Sequence, residues 1–532
     1  MKKKFIKLIG IALMLSSFSC QKQLNLQPPN SISAEEQYRS EAGYKAVLAK
    51  VYGSMSVVSS DGTGNSDVSF SGNSDPALTD FIRTFWNIQE ATTDEVIPAW
   101  NEPDFMALNG MYWVSTNSYS QGLYVRSMYQ ITVCNAFIRE STDEKLNSRG
   151  ITGADAEKVR AYRAEARFLR AFQYWVLMDV FGNPPFVDEN SPIGKNPPPQ
   201  IQRKDLFAFI ESELLSVAPQ LLPAKTNEYG RADQAAAWAL LARMYLNAAI
   251  YTGQERYTDA IKCANQVIGS GYALMPVYRN LFASDNNENN PEMILPVVYD
   301  AVNMATFGGT TYLVNAARGG DAAANAADGI RGGGWWGIRS SKNLPLLFGT
   351  NFRETKDKRA LFGPGDLTIN SITTFVEGVR VHKFTNASSK GIPSNTPDGV
   401  LVNTDFPLFR LAEMYLIYAE AVIRGGAGGN VNTAVGYINK LRERAYGNNS
   451  GNISTQDLTE RFILDERGRE LYWECFRRTD LIRFGFFTSG SYVWPWKGMQ
   501  ANGTGVDSHF NICPIPATDI NVNPNLKQNP GY

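Results

Sequence analysis

The sequence predicts a mainly α-helical protein, in which paired helices form a scaffold and a loop-rich region is inserted between them. Apolar residues recur every three or four positions over long stretches, which is typical of amphipathic helices. Between Pro276 and Asp405 this pattern gives way to glycine and asparagine clusters with short β-like runs. The 532 residues suffice for roughly two to four compact units, and 43% of them are hydrophobic, which is enough for a folded core.

Several long segments have strong helical patterns. The clearest covers 154–181, where Val159, Ala166 and Phe172 lie on one apolar face before the run GNPP ends the helix. The expected helices are 34–58, 121–140, 154–181, 204–215, 232–252, 257–270, 408–424, 432–445 and 456–484.

Residues 231–271 predict a helix pair of the tetratricopeptide type. Ala235, Ala239 and Ala242 supply the small side chains that allow two helices to approach closely, and a Tyr-x-x-Ala run begins the partner helix. The pairs at 121–181 and 408–445 have the same character, although they do not keep a strict repeat period. We therefore expect these helix pairs to build a superhelical scaffold.

The loop-rich region contains two glycine-rich runs, FGGTTYLV at 307–314 and GIRGGGWWG at 329–337. Loops held by a rigid scaffold often present functional side chains to solvent. The second run lacks the lysine-serine helix start of a phosphate-binding loop, so we do not expect a phosphate site there.

The N-terminus has the layout of an export signal. Lysines at positions 2, 3, 4 and 7 precede an apolar run at 8–15 that is too short to span a bilayer, and small residues then lead to Cys20. This resembles a bacterial lipoprotein signal, in which Cys20 would become the lipidated first residue, although Ser17 stands where such signals usually have leucine. The alternative is an ordinary secretion signal followed by a chance cysteine. No other segment is expected to cross a membrane.

The remaining cysteines show neither CxxC nor zinc spacing, and most lie in helix-like apolar contexts typical of buried thiols. They are Cys134, Cys263, Cys475 and Cys513.

The charge balance argues against binding of nucleic acid, because 51 basic residues face 52 acidic ones and phosphate binding needs a basic excess. The sequence also contains few of the residues and motifs that catalytic sites use. Only two histidines are present, His382 and His509, and there is no HExxH, GxSxG or P-loop motif.

Paired carboxylates of the glycosidase kind remain an alternative. Asp94 and Glu95 are adjacent in the chain and so are poorly suited to face each other across a sugar. A second group, Glu466, Glu470 and Glu474, lies on an expected helix with arginines three or four positions away. The spacing predicts the ion pairs Glu466–Arg469, Glu474–Arg478 and Asp480–Arg483, so we interpret this group as a structural network.

Four long motifs carry a family resemblance. They are EARFLRAFQYWVLMDVFGNPPFV at 165–187, DFPLFRLAEMYLIYAEAVIRGG at 405–426, ERGRELYWECFRRTDLIRFG at 466–485 and PIPATDINVNPNLKQNPGY at 514–532. They resemble, in order, the motifs of the SusD/RagB family of surface glycan-binding lipoproteins of Bacteroidetes. The resemblance implies tetratricopeptide helix pairs that support a loop-rich ligand-binding subdomain. It also implies capture of glycan for a SusC-like TonB-dependent transporter at the outer membrane.

The resemblance implies a division of the chain into five parts. They are a signal peptide at 1–19, the lipidated cysteine and a tether at 20–33, an N-terminal helical region at 34–275 with the first binding loops at 59–120, a loop-rich ligand-binding region at 276–405, and a C-terminal helical region at 406–532.

Comparison with a starch-binding member of the family implies an aromatic arc. Trp100, in TDEVIPAW, matches the second of two tryptophans, while Pro98 stands at the first. Phe307 replaces a tyrosine, and Trp335 matches a third tryptophan with Trp336 beside it.

The same comparison implies polar partners for the sugar. Arg83 and Asp75 match an arginine and an acid. A sugar-binding asparagine of the family falls at Pro103, with Asn101 nearby. The lost tryptophan and asparagine imply a glycan specificity that differs from starch.

Calcium is the only cofactor that we consider. The oxygen-rich loop 285–289, with Asp285 and Asn287, is a candidate for structural calcium, although it lacks EF-hand spacing and also fits a solvated turn.

The leading hypothesis is a non-catalytic glycan-binding lipoprotein. A peptide-binding lipoprotein of the RagB kind and a glycosidase are the alternatives.

Overall fold

The computed structural model describes residues 34–59, 65–70, 75–194, 196–396 and 398–532. The expected signal peptide, Cys20 and the tether lie outside these residues. Within the described part of the chain, no helix combines the length and the apolar character that a membrane crossing requires.

Helices form most of the first half. In chain order the elements are α1 (Ala34–Gln37), α2 (Glu41–Ser56), α3 (Phe81–Trp86), β1 (Ile97–Pro98), α4 (Pro103–Gly110), α5 (Ser118–Glu140), α6 (Asp143–Ser148), α7 (Gly153–Phe181), α8 (Arg203–Val217), α9 (Gln234–Leu246), α10 (Ala248–Thr252) and α11 (Tyr257–Ile268).

The second half contains a loop-rich stretch and then a second group of helices. Its elements are β2 (Met293–Val297), α12 (Gly309–Ala316), α13 (Ala322–Ala327), β3 (Ile338–Arg339), α14 (Asn343–Leu346), β4 (Phe406–Arg410), α15 (Leu411–Ile423), α16 (Val431–Tyr446), α17 (Glu460–Leu471), α18 (Arg477–Arg483) and α19 (Ala517–Val522). The strands form two antiparallel pairs, β1 with β3 and β2 with β4.

The scaffold is a row of packed helices, which confirms the expected fold class. Helix α5 packs on α7, α7 on α8, α9 on α11, α11 on α15, and α15 on α16. Ala235, Ala239 and Ala242 of α9 are fully buried, as the small-residue pattern predicts for a close helix contact. One hydrophobic core runs through all three regions from residue 34 to the C-terminus.

Two of the expected helices are wrong at their boundaries. The segment 408–424 begins as strand β4, which pairs with β2, and only then becomes helix α15. The segment 456–484 is two helices, α17 and α18, because Trp473 and Cys475 adopt left-handed conformations with φ of 64° and 69°.

The break between α17 and α18 has an identifiable cause. The backbone N–H of Trp473 donates to Glu95 (2.9 Å), and that of Phe476 donates to Glu90 (3.0 Å). These donors therefore serve distant carboxylates instead of continuing the helix.

The remaining boundary errors are smaller. The segment 34–58 divides before Ser40, whose hydroxyl accepts from Gly43 N and caps α2. The segment 232–252 divides at Asn247. The β-like run at 373–384 makes only isolated bridges, among them Ser340–Val379 and Phe362–Val381.

The glutamates of α17 belong to a buried ion-pair network. Glu470 binds Arg410 (2.7 Å) and Arg444, and Glu466 binds Arg359 (2.8 Å). Burial alone would raise the pKa of Glu470, but the surrounding guanidinium groups outweigh it and hold the pKa far below its ordinary value.

Two of the three expected ion pairs are confirmed. Glu466–Arg469 is 2.7 Å and Asp480–Arg483 is 2.8 Å. The pair Glu474–Arg478 is wrong, because Glu474 lies just beyond the end of α17 and binds Arg410 and Lys383, each at 2.6 Å.

We expect Glu470→Gln to lower the free energy of unfolding by about 3–5 kcal/mol, because it leaves buried guanidinium groups without their counter-charge. Urea denaturation measures the loss. Asp465→Asn on the same helix is the control, since Asp465 pairs with Arg461, which is half exposed, and its loss costs under about 1 kcal/mol. Equal losses in the two variants would contradict the assignment.

Candidate functional site

A two-residue ladder brings the segment of Trp100 beside that of Trp335. Ile97 pairs with Arg339 and Pro98 with Ile338. The pairing continues for one more residue, where Ala99 N donates to the carbonyl of Gly337 (2.6 Å). Two segments that are more than 230 residues apart therefore share one surface.

Trp100, Phe307 and Trp335, which the sequence comparison assigns to an aromatic arc, lie close together. Trp100 donates from its indole Nε1 to the carbonyl of Trp335 (2.9 Å), and the rings of Phe307 and Trp335 lie 6.5 Å apart at 47°. Phe307 is 56% exposed, whereas the two tryptophans are half-buried. A Cβ at Gly337 would lie 2.3 Å from Cζ2 of Trp100, so this ring rests directly on glycine backbone.

Tyr312 links the arc to the polar residues, and the sequence analysis did not select it. Its ring lies 6.1 Å from that of Trp100 and 4.8 Å below the Arg83 guanidinium, and its hydroxyl donates to Asn87 (2.8 Å). Its position five residues after Phe307, in FGGTTYLV, was the only signal available.

Arg83 and Asp75 lie together beside the arc. Arg83 donates from Nη1 to Asp75 (3.2 Å), and its Nε is buried with no hydrogen-bond partner among the described residues. The side chain of Asp75 is 48% exposed, which leaves it accessible to a ligand.

Asp80 fixes the loop that carries Phe307. Its carboxylate accepts from Arg83 N (2.8 Å), Thr306 Oγ1 (3.0 Å) and Gly309 N (3.0 Å). A Cβ at Gly308 would lie 2.0 Å from Cγ of Asp80, so only glycine allows this approach.

The other two candidates follow directly after the tryptophans of the arc in the chain. Asn101 is exposed in the loop after Trp100. The ring of Trp336 packs against Phe375 at 5.5 Å, whereas that of Trp335 packs against Phe307.

Of the two calcium candidates, Asp285 makes hydrogen bonds within the protein and Asn287 faces solvent. Asp285 accepts from the backbone N and the hydroxyl of Ser389, both at 2.7 Å, and Asn287 is exposed. No group of three or more His, Cys, Asp or Glu residues suited to a metal ion is found in the described part of the chain. Calcium at this loop stays a prediction.

The acids considered for catalysis are buried. Asp94 accepts both N–H groups of the Arg477 fork at 2.7 Å, and Glu95 accepts from Trp473 N. Both are 1% exposed, so a glycan cannot reach them. Burial raises the pKa of Glu95 and, well above its ordinary value, that of the neighbouring Glu90.

Glu90 and Glu95 predict a pH dependence of stability. Since folding raises both pKa values, the folded state holds protons that the unfolded state releases above about pH 4.5, and the free energy of unfolding falls as the pH rises above that value. Glu90→Gln keeps an acceptor for Phe476 N but removes one titration. We expect it to flatten the slope by up to about 1.4 kcal/mol per pH unit. Urea titrations at pH 5, 6.5 and 8 test this, and equal slopes would contradict it.

Arg339 ties the arc to the adjacent loop. From Nη1 its buried guanidinium donates to the carbonyl of Pro98 (2.7 Å), and from Nη2 to those of Ile372 (2.7 Å) and Thr374 (3.0 Å). Nε donates to the carbonyl of Glu377. Burial lowers the pKa of Arg339 to about 10.

We expect Arg339→Lys to cost at least about 2 kcal/mol of stability, because an ammonium cannot reach carbonyls on both sides of the strand. Thermal and urea unfolding measure the cost. The control is Arg331→Lys, since Arg331 is exposed and donates to Asn395. A variant at 339 as mild as the control would refute the role of Arg339.

Comparison with known proteins identifies the family. A family model described as "SusD family" matches residues 348–532, and one described as "Starch-binding associating with outer membrane" matches residues 32–246. The starch-binding protein SusD of Bacteroides thetaiotaomicron is 35% identical over an alignment that covers 100% of both chains. A SusD-like protein of Bacteroides ovatus is 25% identical and covers 71% of this chain and 68% of its own. The chain belongs to the SusD family.

Solved structures share the fold. The surface glycan-binding protein A of Bacteroides thetaiotaomicron, in complex with laminarihexaose, superposes with a TM-score of 0.70 at 20% identity and covers 92% of this chain and 99% of its own. A SusD superfamily protein of Bacteroides vulgatus gives a TM-score of 0.70 at 19% identity, with coverage of 93% and 99%.

Proposed function

We propose that this chain is a non-catalytic glycan-binding protein that captures oligosaccharides or polysaccharides at the arc of Trp100, Phe307 and Trp335. The observation that carries the proposal is the arc itself: a short ladder joins the segments of Trp100 and Trp335, and the ring of Phe307, which is 56% exposed, lies beside that of Trp335. Arg83 and Asp75 supply the polar contacts at its edge.

The chemistry of the arc suits sugar. Pyranose rings present flat C–H faces that stack on aromatic rings, while a few polar groups fix the hydroxyls. Each platform contributes about 1–3 kcal/mol if base stacking is a fair guide. After the cost of association, two or three platforms give affinities that permit both capture and release.

The relatives and the buried acids both support this function. The 35% identical relative is named a starch-binding protein, and a structural neighbour is named a surface glycan-binding protein. Asp94 and Glu95 are buried on Arg477 and Trp473, which favours binding over hydrolysis.

The proposal includes a location and a partner. Cys20 anchors the chain to the outer membrane through its lipid, at the cell surface, and the captured glycan passes to a SusC-like TonB-dependent transporter. A family model that matches residues 32–246 is described as associating with the outer membrane, which supports the location. Co-purification of such a transporter with the tagged lipoprotein from outer membranes tests the partner.

Affinity electrophoresis tests the binding site. The chain from residue 20 onward, with Cys20→Ala, is run in gels that contain starch, pullulan, levan, xylan or mannan. We expect at least one glycan to retard the wild type and Trp100→Ala or Trp335→Ala to lose most of that retardation, because each removes a ring of the arc. Leu215→Ala, an exposed apolar change on the helical scaffold, is the control.

Three results would overturn the proposal. Full retardation of both tryptophan variants would refute the site. Release of reducing sugar from the glycan would show that the chain is a glycosidase. Retardation by casein but by no glycan would favour a peptide-binding protein.

A further inference from the structure

Trp336 rests on a backbone shelf of its own. A Cβ at Gly319 would lie 2.7 Å from Cδ2 of its indole, and one at Gly320 would lie 2.7 Å from Cη2. The two glycines therefore let the whole indole lie against the main chain. Phe375 packs beside it at 5.5 Å and 56°.

The backbone of Trp336 is in an unfavourable conformation that burial does not offset. Its φ is 55°, in the left-handed region that a bulky side chain rarely adopts. Trp473 also has a positive φ, of 64°, but it is 1% exposed and gains a full set of core contacts. Trp336 is 44% exposed. Strain that is kept without full burial is typical of functional positions.

The surface around Trp336 has the composition of a shallow binding shelf. Val376, next to Phe375, is 55% exposed and extends the apolar surface. Arg380 holds the shelf in place by donating to the carbonyl of Gly319 (3.1 Å). Asp321 is exposed directly after Gly320, and its carboxylate accepts from Ala324 N (3.0 Å) at the start of α13, which places an acidic group at the edge of the shelf.

We propose that Trp336 is a second glycan platform, distinct from the arc, which binds a neighbouring stretch of the same polysaccharide. This inference rests on the proposed function of the arc. A single open indole on glycine backbone suits a pyranose face, whereas hot spots for protein partners lie in packed, desolvated pockets.

The position of Trp336 predicts which ligands use it. Trp335 and Trp336 are adjacent, so their Cα atoms are about 3.8 Å apart, while their rings pack on different partners. A long chain that leaves the arc therefore reaches the second platform, and a short oligosaccharide fills the arc alone. Linked contacts raise the affinity for the long chain without changing that for the short one.

The test compares a polymer with its own fragments. The wild type, Trp336→Ala, Trp336→Phe and Trp100→Ala, each from residue 20 onward with Cys20→Ala, are titrated calorimetrically with the polysaccharide retained in the gels and with its disaccharide, which is too short to leave the arc. We expect Trp336→Ala to weaken polymer binding about tenfold and to change disaccharide binding less than about twofold. Trp336→Phe retains a ring and keeps part of the polymer affinity, and Trp100→Ala loses both ligands.

The other outcomes each decide the question. Unchanged polymer binding in Trp336→Ala, or an equal loss for polymer and disaccharide, would overturn the second platform. Unchanged glycan binding with loss of transporter co-purification would also overturn it, in favour of a protein contact. Failure of the proposed function is a separate result, in which Trp100→Ala and Trp335→Ala bind as the wild type does. A melting temperature of Trp336→Ala close to that of the wild type shows that the variant is folded.

Discussion

The surface that carries the aromatic rings depends on one buried guanidinium. Arg339 lies in β3 between two segments that share no other regular structure, and it donates to the carbonyls of Pro98 on one side and of Ile372 and Thr374 on the other. A loop cannot supply these carbonyls with partners by itself, and leaving them unpaired in the interior would be costly. Arg339 satisfies them with a planar fork that is more weakly hydrated than an ammonium. The loop before Trp100 and the loop of Phe375 therefore stay in register with the two tryptophans just before Arg339.

Buried acidic side chains of the scaffold fix this surface from below. Glu90 and Glu95 accept the backbone N–H groups that would have continued α17 into α18, and Asp94 binds the fork of Arg477. The segment that leads to Trp100 is thus joined to the C-terminal helices by buried acidic side chains, of which Asp94 is paired with a guanidinium. Such groups add specificity of position more than net stability, since their desolvation offsets much of their attraction. In this chain they set where one helix ends and where the loop to Trp100 begins.

The sequence predicts the scaffold better than the surface. Helix α7 was predictable because its apolar face follows helical spacing over seven turns. The break at Trp473 was not, because the carboxylates that cause it lie nearly 380 residues away. Trp100, Phe307 and Trp335 came from a family resemblance, and the structure places them together. Tyr312 was missed, since a buried tyrosine in a short helix has the pattern of ordinary core. The rings of Trp335 and Trp336 point to different neighbours because Trp336 has a positive φ, and no sequence pattern predicts that backbone conformation.

Pro98 shows how a changed specificity and the second platform are connected. The family resemblance implies a tryptophan at this position, but here Pro98 is buried in β1 and its carbonyl accepts from Arg339. Proline has no N–H to satisfy and a fixed φ, so it suits a two-residue edge ladder better than a displayed ring does. The proposed arc therefore has one platform fewer on the side of β1 than the resemblance implies. Trp336, seven residues before the start of α14, places a ring on the shelf of Gly319 and Gly320. Under the function proposed above, a chain that has one ring fewer inside the arc and displays another outside it binds longer ligands in preference to short ones.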